Sequence, residues 1–509
     1  MRRFSADRYR LARRTGAALG LLLGAGGLAT AAAPVRRAAP RLQLLVVVFD
    51  GLRPDQVTPG LTPRLHHLAV TGVRSWQHHA LFPTVTRVNA SALATGTGPG
   101  GHGILDNTIY LPAVDSARVL NTGEAPDMQR ADSVLDGGLL TAPTVAARLT
   151  AAGLRLMVAS AGSSGSAYLF AGGGTTPVVN AELVRPAALA PLVARVLGAP
   201  PADASPNLGR NAWAVDALLR VGVDSLDVDV GYLWLSDPDH TAHGAGIGSD
   251  MADSSIRAAD REFGRLIDGL AARGRREVNV IVVSDHGFSS HTGDTKSLRQ
   301  RLGTLANNVV IAGSAIHVRQ GGARVRDSVV RLLQAWPEAG AIFTAPGASR
   351  DEGIVRGTLS TAAIGWQHAR SADVLWSADW SHEVNAVGYS GSTRQSGVAG
   401  HGTSSPHDIR ATFVAHGPAF RKAAEAPLPS SNADIVPTVL HVLGQPSHAP
   451  GITGRPLLEL LTTAPRTRGE ARRDSVAVAA EGYRTVLFRT RVADTWYVDS
   501  TRTTRWSPR

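Results

Sequence analysis

Short apolar runs rich in valine recur along the chain and are separated by segments with helical periodicity. Residues 44–49 (LLVVVF) contain no polar position, and comparable runs follow at 154–161, 227–235, 278–283 and 411–415. Continuous apolar runs of this length are typical of strands that are buried on both faces of a parallel sheet. We therefore predict a strand in each of these segments.

Helices are predicted between most of these strands. The clearest is the amphipathic segment 251–273, which ends at Gly274, and further helices are expected at 61–75, 141–153 and 433–444 and in two stretches between 189 and 222. Residues 111–140 are polar and irregular, and we expect a surface excursion there. The segment SAGSSGSAYLF (160–170) is expected to be a Gly/Ser turn that lines the pocket. Strands that alternate with helices predict an α/β fold with a mainly parallel central sheet and helices on both faces.

The less regular segments suggest how the chain is divided. Residues 34–291 and 398–460 would form the core, and residues 292–397, with one helix and several tryptophan-bearing loops, would form an inserted α+β cap. From about Val476 the chain alternates in the manner of an antiparallel hairpin, and residues 461–509 are expected to form a C-terminal β extension.

Residues 1–33 have the three parts of a signal peptide. A basic segment is followed by an apolar run at 16–28 and by small residues at 29–33, and the run is too short to span a bilayer comfortably. We expect export to the periplasm or secretion, with no stable membrane anchor after cleavage. The pair Arg13-Arg14 leaves both the Sec and the twin-arginine route open.

Composition limits the residues that could bind a metal ion and the kinds of partner to expect. The chain has no cysteine, so any metal ion must be held by aspartate, glutamate, histidine or a hydroxyl oxygen. The net charge of +11 includes the six arginines and one aspartate of residues 1–33, so only a mild positive field would remain after cleavage. That field would help to attract anionic substrates, although arginine could equally serve only to solubilise the protein. No basic run is interleaved with aromatic residues, so no nucleic-acid partner is expected.

Residues 82–107, FPTVTRVNASALATGTGPGGHGILDN, contain the best candidate for a nucleophile. A threonine at the start of a helix lies where unpaired N–H groups and the helix dipole favour an anion. The alternative is an ordinary threonine N-cap before a short helix. Thr84 and Thr86 are the two hydroxyls in question.

Groups of the metal-ligand type follow several of the predicted strands. Asp50 follows the first strand, where Asp-Gly could also be plain turn chemistry. The others are Asp239 and His243, one helical turn apart, Asp285 and His286 at a strand end, and His401 between two glycines. These six ligands are too many for one tetrahedral zinc ion and divide well into two sites that share a nucleophile.

Together these motifs resemble the type I phosphodiesterase/nucleotide pyrophosphatase group of the alkaline phosphatase superfamily, over residues 42–460. The matching motifs are VVVFDGLRPD, FPTVTRVN…HGILDN, DPDHTAHG, VSDHGF and GHGTSSPHDIRATFVAHGPAF. The resemblance implies an alkaline-phosphatase-like fold, two zinc ions and a covalent phospho-threonine. It assigns Asp239, His243 and His401 to one zinc ion, and Asp50, Asp285 and His286 with Thr86 to the other. Thr86 would be the nucleophile, Asn107 would bind a phosphoryl oxygen, and His102 would order its loop.

One difference from the family pattern bears on which substrate is expected. Nucleotide-cleaving members usually have an aromatic residue after the nucleophile, whereas this chain has Arg87, which could stack, bind a second anion or face solvent. We expect an exported two-zinc phosphodiesterase that acts on a small phosphodiester or nucleotide. A phosphomonoesterase or phosphonate hydrolase on the same scaffold is the alternative. A non-catalytic secreted binding protein is a remote alternative, because no ligand is missing.

Overall fold

The computed structural model describes residues 42–294, 297–464 and 469–507. The predicted signal peptide at 1–33 lies outside these residues. In the described part of the chain, no helix combines the length and the apolar character that crossing a bilayer requires.

A ten-stranded, mainly parallel sheet forms the centre of the protein. The strand Leu44–Phe49 lies in its middle, between Val230–Leu235 and Asn279–Val283, and pairs with both in parallel. The strands in order across the sheet are Ala424–Glu425, Val73–His79, Arg410–His416, Asn279–Val283, Leu44–Phe49, Val230–Leu235, Leu156–Ser160, Val178–Asn180 and Leu183–Arg185, with Ser430–Ser431 beside Val73–His79. The predicted α/β fold is confirmed.

Alternation along the central strand explains why helices cover both faces. Leu44, Val46 and Val48 belong to one hydrophobic cluster, whereas Leu45 and Val47 belong to the other. Each face of the sheet must therefore be covered by apolar helix faces. The α-helices are Pro63–Thr71, Thr86–Thr95, Pro99–His102, Ala125–Val134, Val145–Ala151, Ser164–Ala171, Ala190–Leu197, Leu208–Asp216 (continued as a π-helix, Ala217–Val223), Asp239–Ala245, Asp250–Ala272, Leu298–Leu302, Gly322–Ala335, Pro406–Ile409 and Ile435–Val442.

Four smaller sheets complete the described part of the chain. A five-stranded sheet lies within the predicted insert, a four-stranded sheet joins the end of that insert to the core, and the C-terminal segment forms three antiparallel strands. The domain boundaries themselves stay a prediction. The strands of these sheets are Val309–Ala312, Ala315–Val318, Val374–Ala378, Ala339–Thr344 and Leu359–Ser360; Trp380–Val384, Ser390–Thr393, Ser289–His291 and Ala399–Gly400; Ala471–Ala480, Tyr483–Val492 and Thr495–Arg505; and the pair Thr108–Ile109 and Leu120–Asn121.

Three local predictions are wrong. The helix expected at 61–75 ends at Thr71, and the chain turns at Gly72 into the strand Val73–His79. The excursion at 111–140 contains the helix Ala125–Val134, which packs buried apolar side chains against the main core. The expected turn at 160–170 is mostly the helix Ser164–Ala171, which the Ser163 hydroxyl caps.

Candidate active site

Three carboxylates converge at the carboxyl edge of the central sheet. Asp50 directly follows Leu44–Phe49, Asp285 follows Asn279–Val283, and Asp239 begins the helix after Val230–Leu235. Because these three strands are parallel neighbours, their carboxyl ends meet at one edge. The sheet therefore brings together residues that lie far apart in the sequence.

The ligand atoms form two groups that share one histidine. Asp239, His286 and His401 have ligand atoms within 4.8 Å of one another, and so do Asp50, Asp285 and His286. His243 lies beside the first group, with Nε2 at 3.3 Å from Asp239 Oδ1, and its side chain is 46% exposed. All six predicted ligands thus lie at one site, but the compact groups include His286 twice and leave His243 at the edge.

In all three imidazoles Nδ1 contacts a backbone carbonyl oxygen. Nδ1 of His243 contacts the carbonyl oxygen of Ala399 at 3.1 Å, and Nδ1 of His401 contacts that of Thr84 at 2.8 Å. Nδ1 of His286 lies 2.9 Å from its neighbouring carbonyl, that of Gly287. A ring that donates from Nδ1 to a carbonyl presents the Nε2 lone pair on its other side. All three rings can therefore offer Nε2 as a metal ligand.

Buried carboxylate oxygens without partners point to the same chemistry. Asp50 Oδ1, Asp239 Oδ1 and Asp285 Oδ2 are buried and accept no hydrogen bond among the residues that the structure describes. Their other oxygens are in part anchored, since Trp234 Nε1 donates to Asp50 Oδ2 at 2.9 Å and Gly51 N donates to Asp285 Oδ1 at 3.1 Å. A buried, unpaired carboxylate oxygen is costly unless a cation satisfies it. The donor set therefore fits divalent metal ions.

Crowded charges shift the pKa values of these groups. Burial raises the pKa of Asp285 to about 8, and the charge of Asp239 adds to that effect. Burial likewise raises the pKa of Asp50, assisted by Asp285 and Asp239. Burial would also raise the pKa of Asp239, but the rings of His243 and His401 outweigh it and lower that pKa. Without metal the site therefore holds protons that a bound cation would displace.

Thr86 lies next to both groups. It is the first residue of the helix Thr86–Thr95, in which Val85 is the N-cap and no side chain caps the helix, so the N-cap interpretation of Thr86 is wrong. Its Oγ1 lies 3.3 Å from His286 Nε2. The neighbouring Thr84 hydroxyl is used elsewhere, because it donates to the carbonyl of Thr403 at 2.7 Å and accepts from Gly402 N at 3.1 Å.

Asn107 and Arg87 contact each other near Thr86. Arg87 N donates to Asn107 Oδ1 at 3.1 Å, which orients the amide and leaves its NH2 group without a partner among the described residues. The Arg87 side chain is half-buried and packs against Gly123, where a Cβ would collide with Nη2. Arg87 therefore does not simply face bulk solvent. His102 accepts from Ile104 N through Nδ1 at 3.1 Å and orders its own loop.

Sequence reasoning missed two residues that support this site. Trp234 donates to Asp50, and the pairing of Val48 with Trp234 in neighbouring strands could have suggested the contact. Asp106 is buried before Asn107, whose N–H it accepts at 2.6 Å, and it also accepts two bonds from Ser314. No local pattern indicates Ser314, because the contact joins segments 208 residues apart.

Comparison with known families identifies the group to which this architecture belongs. Residues 44–355, more than half of the chain, match the family model described as "Type I phosphodiesterase / nucleotide pyrophosphatase". The chain belongs to this family. The match spans the segments that carry Asp50, Thr86, Asp239 and His286, and the resemblance stated from the sequence is confirmed.

Individual relatives have low sequence identity to this chain. The chain is 25% identical over 251 residues to a venom phosphodiesterase of Macrovipera lebetinus, which covers 48% of this chain and 25% of the relative. It is 26% identical over 283 residues to human ectonucleotide pyrophosphatase/phosphodiesterase family member 1, which covers 54% of this chain and 27% of the relative. The matched part thus spans about a quarter of the length of these curated relatives.

Solved structures share the fold. An inactive variant of murine ectonucleotide pyrophosphatase / phosphodiesterase 5, in complex with AMP, aligns with a TM-score of 0.59 at 20% identity and covers 83% of this chain and 100% of that chain. The human counterpart gives the same TM-score, identity and coverage. This likeness confirms the α/β architecture.

Proposed function

We propose that this protein is an exported two-zinc hydrolase of phosphate esters that cleaves phosphodiesters or nucleotide pyrophosphates through Thr86. One observation carries the proposal. The Thr86 hydroxyl lies 3.3 Å from His286 Nε2, beside buried carboxylate oxygens that accept no hydrogen bond from the described residues. Membership of the phosphodiesterase family and its named relatives support the reaction class.

In the proposed assignment, Asp239, His243 and His401 hold one zinc ion. Asp50, Asp285 and His286, with Thr86, hold the other. Two divalent ions bound there would lower the pKa of the hydroxyl and offset charge on the phosphoryl group. His286 lies between the compact groups, so it could orient the ligands on both sides.

The chain's own residues would carry the remaining steps. Thr86 Oγ1 would attack phosphorus as the bond from phosphorus to the leaving ester oxygen breaks, and the proton lost by Thr86 is balanced by the one that this oxygen takes up as it departs as an alcohol. The product on the protein is a covalent phospho-threonine. Water then attacks phosphorus, breaks the bond to Thr86 and restores the hydroxyl. Asn107 would donate its free NH2 group to a non-bridging oxygen, where charge is concentrated in the transition state.

The test of this assignment replaces the nucleophile. Thr86→Ala should abolish turnover of the p-nitrophenyl ester of thymidine monophosphate and leave zinc content nearly unchanged, whereas Thr86→Ser should keep measurable activity because it retains a hydroxyl. Asp239→Ala should lower the zinc content itself. Full activity in Thr86→Ala would refute the nucleophile assignment.

A phosphomonoesterase is a second candidate, and the unpaired cation of Arg87 beside Thr86 favours it. The zinc-loaded protein should be assayed on the thymidine ester and on p-nitrophenyl phosphate in parallel. Faster cleavage of the diester supports the first function, and faster cleavage of the monoester supports the second. Export can be checked separately by sequencing the N-terminus of the mature protein, where cleavage after about residue 33 is expected.

A further inference from the structure

Arg87 is an arginine whose side chain lacks a protein partner. Its Nε is buried and makes no hydrogen bond, and none of the described residues forms a hydrogen bond or ion pair with the guanidinium. Two arginines whose side chains are little exposed do have carboxylate partners, since Arg455 pairs with Glu459 at 2.7 Å and Arg489 with Asp351 at 2.8 Å. A buried, unpaired guanidinium is unfavourable unless a ligand supplies the anion.

The residue packed against the Arg87 guanidinium is a glycine, which has no side chain to occupy that space. Gly123 lies against Nη2 and Cζ, and any side chain at that position would collide with the guanidinium. Burial lowers the pKa of Arg87, and the carboxylates of Asp50 and Asp239 oppose that shift. Arginine nevertheless stays charged in proteins. If metal ions neutralise those carboxylates, the exposed carboxylate of Glu124 still offsets part of the guanidinium charge, and no ion pair with a described residue neutralises the rest.

The position of this charge relative to Thr86 indicates which part of a substrate it meets. Arg87 N donates to Asn107 Oδ1, and the Thr122 hydroxyl donates to the Asn107 carbonyl at 2.6 Å. Asn107, Gly123 and the guanidinium therefore lie on one side of Thr86. In phosphoryl transfer the attacking and leaving oxygens are in line, so the other groups on phosphorus project sideways. The substituent that stays on phosphorus can extend toward Arg87.

We propose that Arg87 binds a negatively charged group in the substituent that stays on phosphorus when Thr86 attacks. The substrates would then be phosphodiesters whose retained substituent carries a carboxylate or a second phosphate, either of which matches the fork of a guanidinium. This inference rests on the proposed function, because it uses Thr86 to define the retained substituent.

Binding to proteins without the nucleophile tests the inference independently of turnover. Two probes of equal shape are the 2-carboxyethyl and the 2-carbamoylethyl p-nitrophenyl phosphodiesters, which differ in one negative charge. Zinc-loaded Thr86→Ala protein should bind the carboxyethyl probe about tenfold more tightly by calorimetry. The double variant Thr86→Ala/Arg87→Gln should lose this preference. Thr86→Ala/Arg472→Gln, which removes a 73% exposed arginine, is the matched control and should retain it.

Each outcome of this experiment is decisive. Equal binding of the two probes by the Thr86→Ala protein, or a preference that survives Arg87→Gln, overturns the inference. So does a larger loss of affinity for p-nitrophenyl phosphate than for the carboxyethyl probe on Arg87→Gln, because Arg87 would then contact the reacting phosphoryl group. If the Thr86-containing protein hydrolyses both diesters equally well, the inference fails and the proposed function stands. If the binding preference is found but Thr86→Ala does not affect turnover, the proposed function fails and the Arg87 site stands.

Discussion

His286 is the residue on which both compact ligand groups depend. Its Nε2 lies 3.2 Å from Asp285 Oδ2, 3.5 Å from Asp50 Oδ1 and 3.9 Å from Asp239 Oδ1, and its ring stacks on that of His401 with centroids 3.5 Å apart. Because this one nitrogen lies close to carboxylates of both ligand groups, its position affects the geometry of both groups. Replacing it should therefore disturb more than one ion.

We predict that His286→Ala loses more than half of the bound zinc and that His243→Ala loses less. His286 is fully buried between the two groups, whereas the His243 side chain is 46% exposed at the edge of one group. Elemental analysis after dialysis of the zinc-loaded proteins measures the difference. His441→Ala, at an exposed position of the helix Ile435–Val442, is the control and should keep the full metal content. A larger loss in His243→Ala than in His286→Ala would contradict this interpretation.

The raised pKa values predict how the metal-free protein responds to pH. Burial raises the pKa of Asp285 to about 8. The pKa of His243 is raised to about 9, because the Asp239 carboxylate outweighs burial. A group whose pKa is raised on folding contributes stability that is complete below its unfolded value and is lost as the pH rises through the folded value. In the metal-free protein Asp285 should therefore contribute a loss of stability from about pH 4 to about pH 8, and His243 a loss from about pH 6.5 to about pH 9. Burial lowers the pKa of His286, which makes the opposite contribution as the pH rises through about 6.5, so the test compares variants rather than the absolute stability.

Urea unfolding of the metal-free protein over this range of pH measures the loss. Asp285→Asn should show a smaller decrease, because the amide does not titrate, and zinc binding near neutral pH should release protons. The same change of stability with pH in Asp285→Asn and in the unchanged protein would contradict the raised pKa of Asp285.

The residues of the site illustrate what sequence can and cannot provide. Asp50 and Asp285 were predictable because each follows an apolar run that could only be a buried strand, and such strands end at one edge. The separate uses of Thr84 and Thr86 were not predictable from spacing. They depend on Gly402 and Thr403, which are more than 300 residues away and engage only the first hydroxyl.

At the scale of elements, the loop before Asn107 is held by a hairpin of the predicted insert. The turn between Val309–Ala312 and Ala315–Val318 contains Ser314, whose N–H and hydroxyl donate to Asp106 Oδ2 at 3.0 and 2.6 Å. Oδ1 of the same carboxylate accepts from Asn107 N at 2.6 Å. Asp106 thus connects the hairpin to the residue proposed to bind the phosphoryl group.

We predict that Asp106→Asn lowers kcat about tenfold, because small displacements of a positioning group are costly in catalysis. The same substitution in an Asn107→Ala background should cause no further loss, since Asp106 acts through Asn107. Zinc content should be unchanged in both. Ser328→Ala, which removes an exposed hydroxyl from a helix of the same insert, is the control. Independent, multiplicative losses from Asp106→Asn and Asn107→Ala would contradict the connection.

The elements that were predicted wrongly share a physical cause. The helix Ser164–Ala171 has no polar face because all eight of its residues are buried, so it lacks the amphipathic period by which helices are recognised. In the segment 111–140, polar residues separate Leu111, Leu120 and Met128, which nevertheless pack into the main core. In both segments long-range burial, rather than local pattern, decides the structure.

At the scale of the whole molecule, the C-terminal sheet is tied to both the core and the insert. His79 Nε2 contacts Asp499 at 2.9 Å on the core side, and Arg489 pairs with Asp351 and Tyr483 donates to the carbonyl of Gly340 on the insert side. A strand pattern was predictable for this segment, and the hairpin is confirmed as Tyr483–Val492 and Thr495–Arg505. The residues of the core and the insert that this hairpin contacts were not predictable, because single polar side chains make these contacts.

A further contact of the C-terminal sheet connects it to the neighbourhood of the proposed metal centre. The Tyr497 hydroxyl donates to Asp434 Oδ2 at 3.0 Å and accepts from Arg455 Nε at 2.8 Å. Asp434 belongs to the same turn as Asn432, whose amide donates to the backbone carbonyl of Asp285 at 2.7 Å. The C-terminal sheet therefore supports the segment that packs behind a proposed ligand.

We predict that Tyr497→Phe lowers the free energy of unfolding by about 1–3 kcal/mol, because it removes a hydrogen bond to Asp434 and leaves Arg455 Nε without a partner among the described residues. Urea unfolding measures the change. Tyr110→Phe removes a hydroxyl that donates to Ser116 in an exposed loop, and it should change stability by less than about 0.5 kcal/mol. At saturating zinc both variants should bind the same amount of metal, because the ligands themselves are intact. An equal effect of the two substitutions on stability would mean that the C-terminal sheet does not stabilise the core through Tyr497.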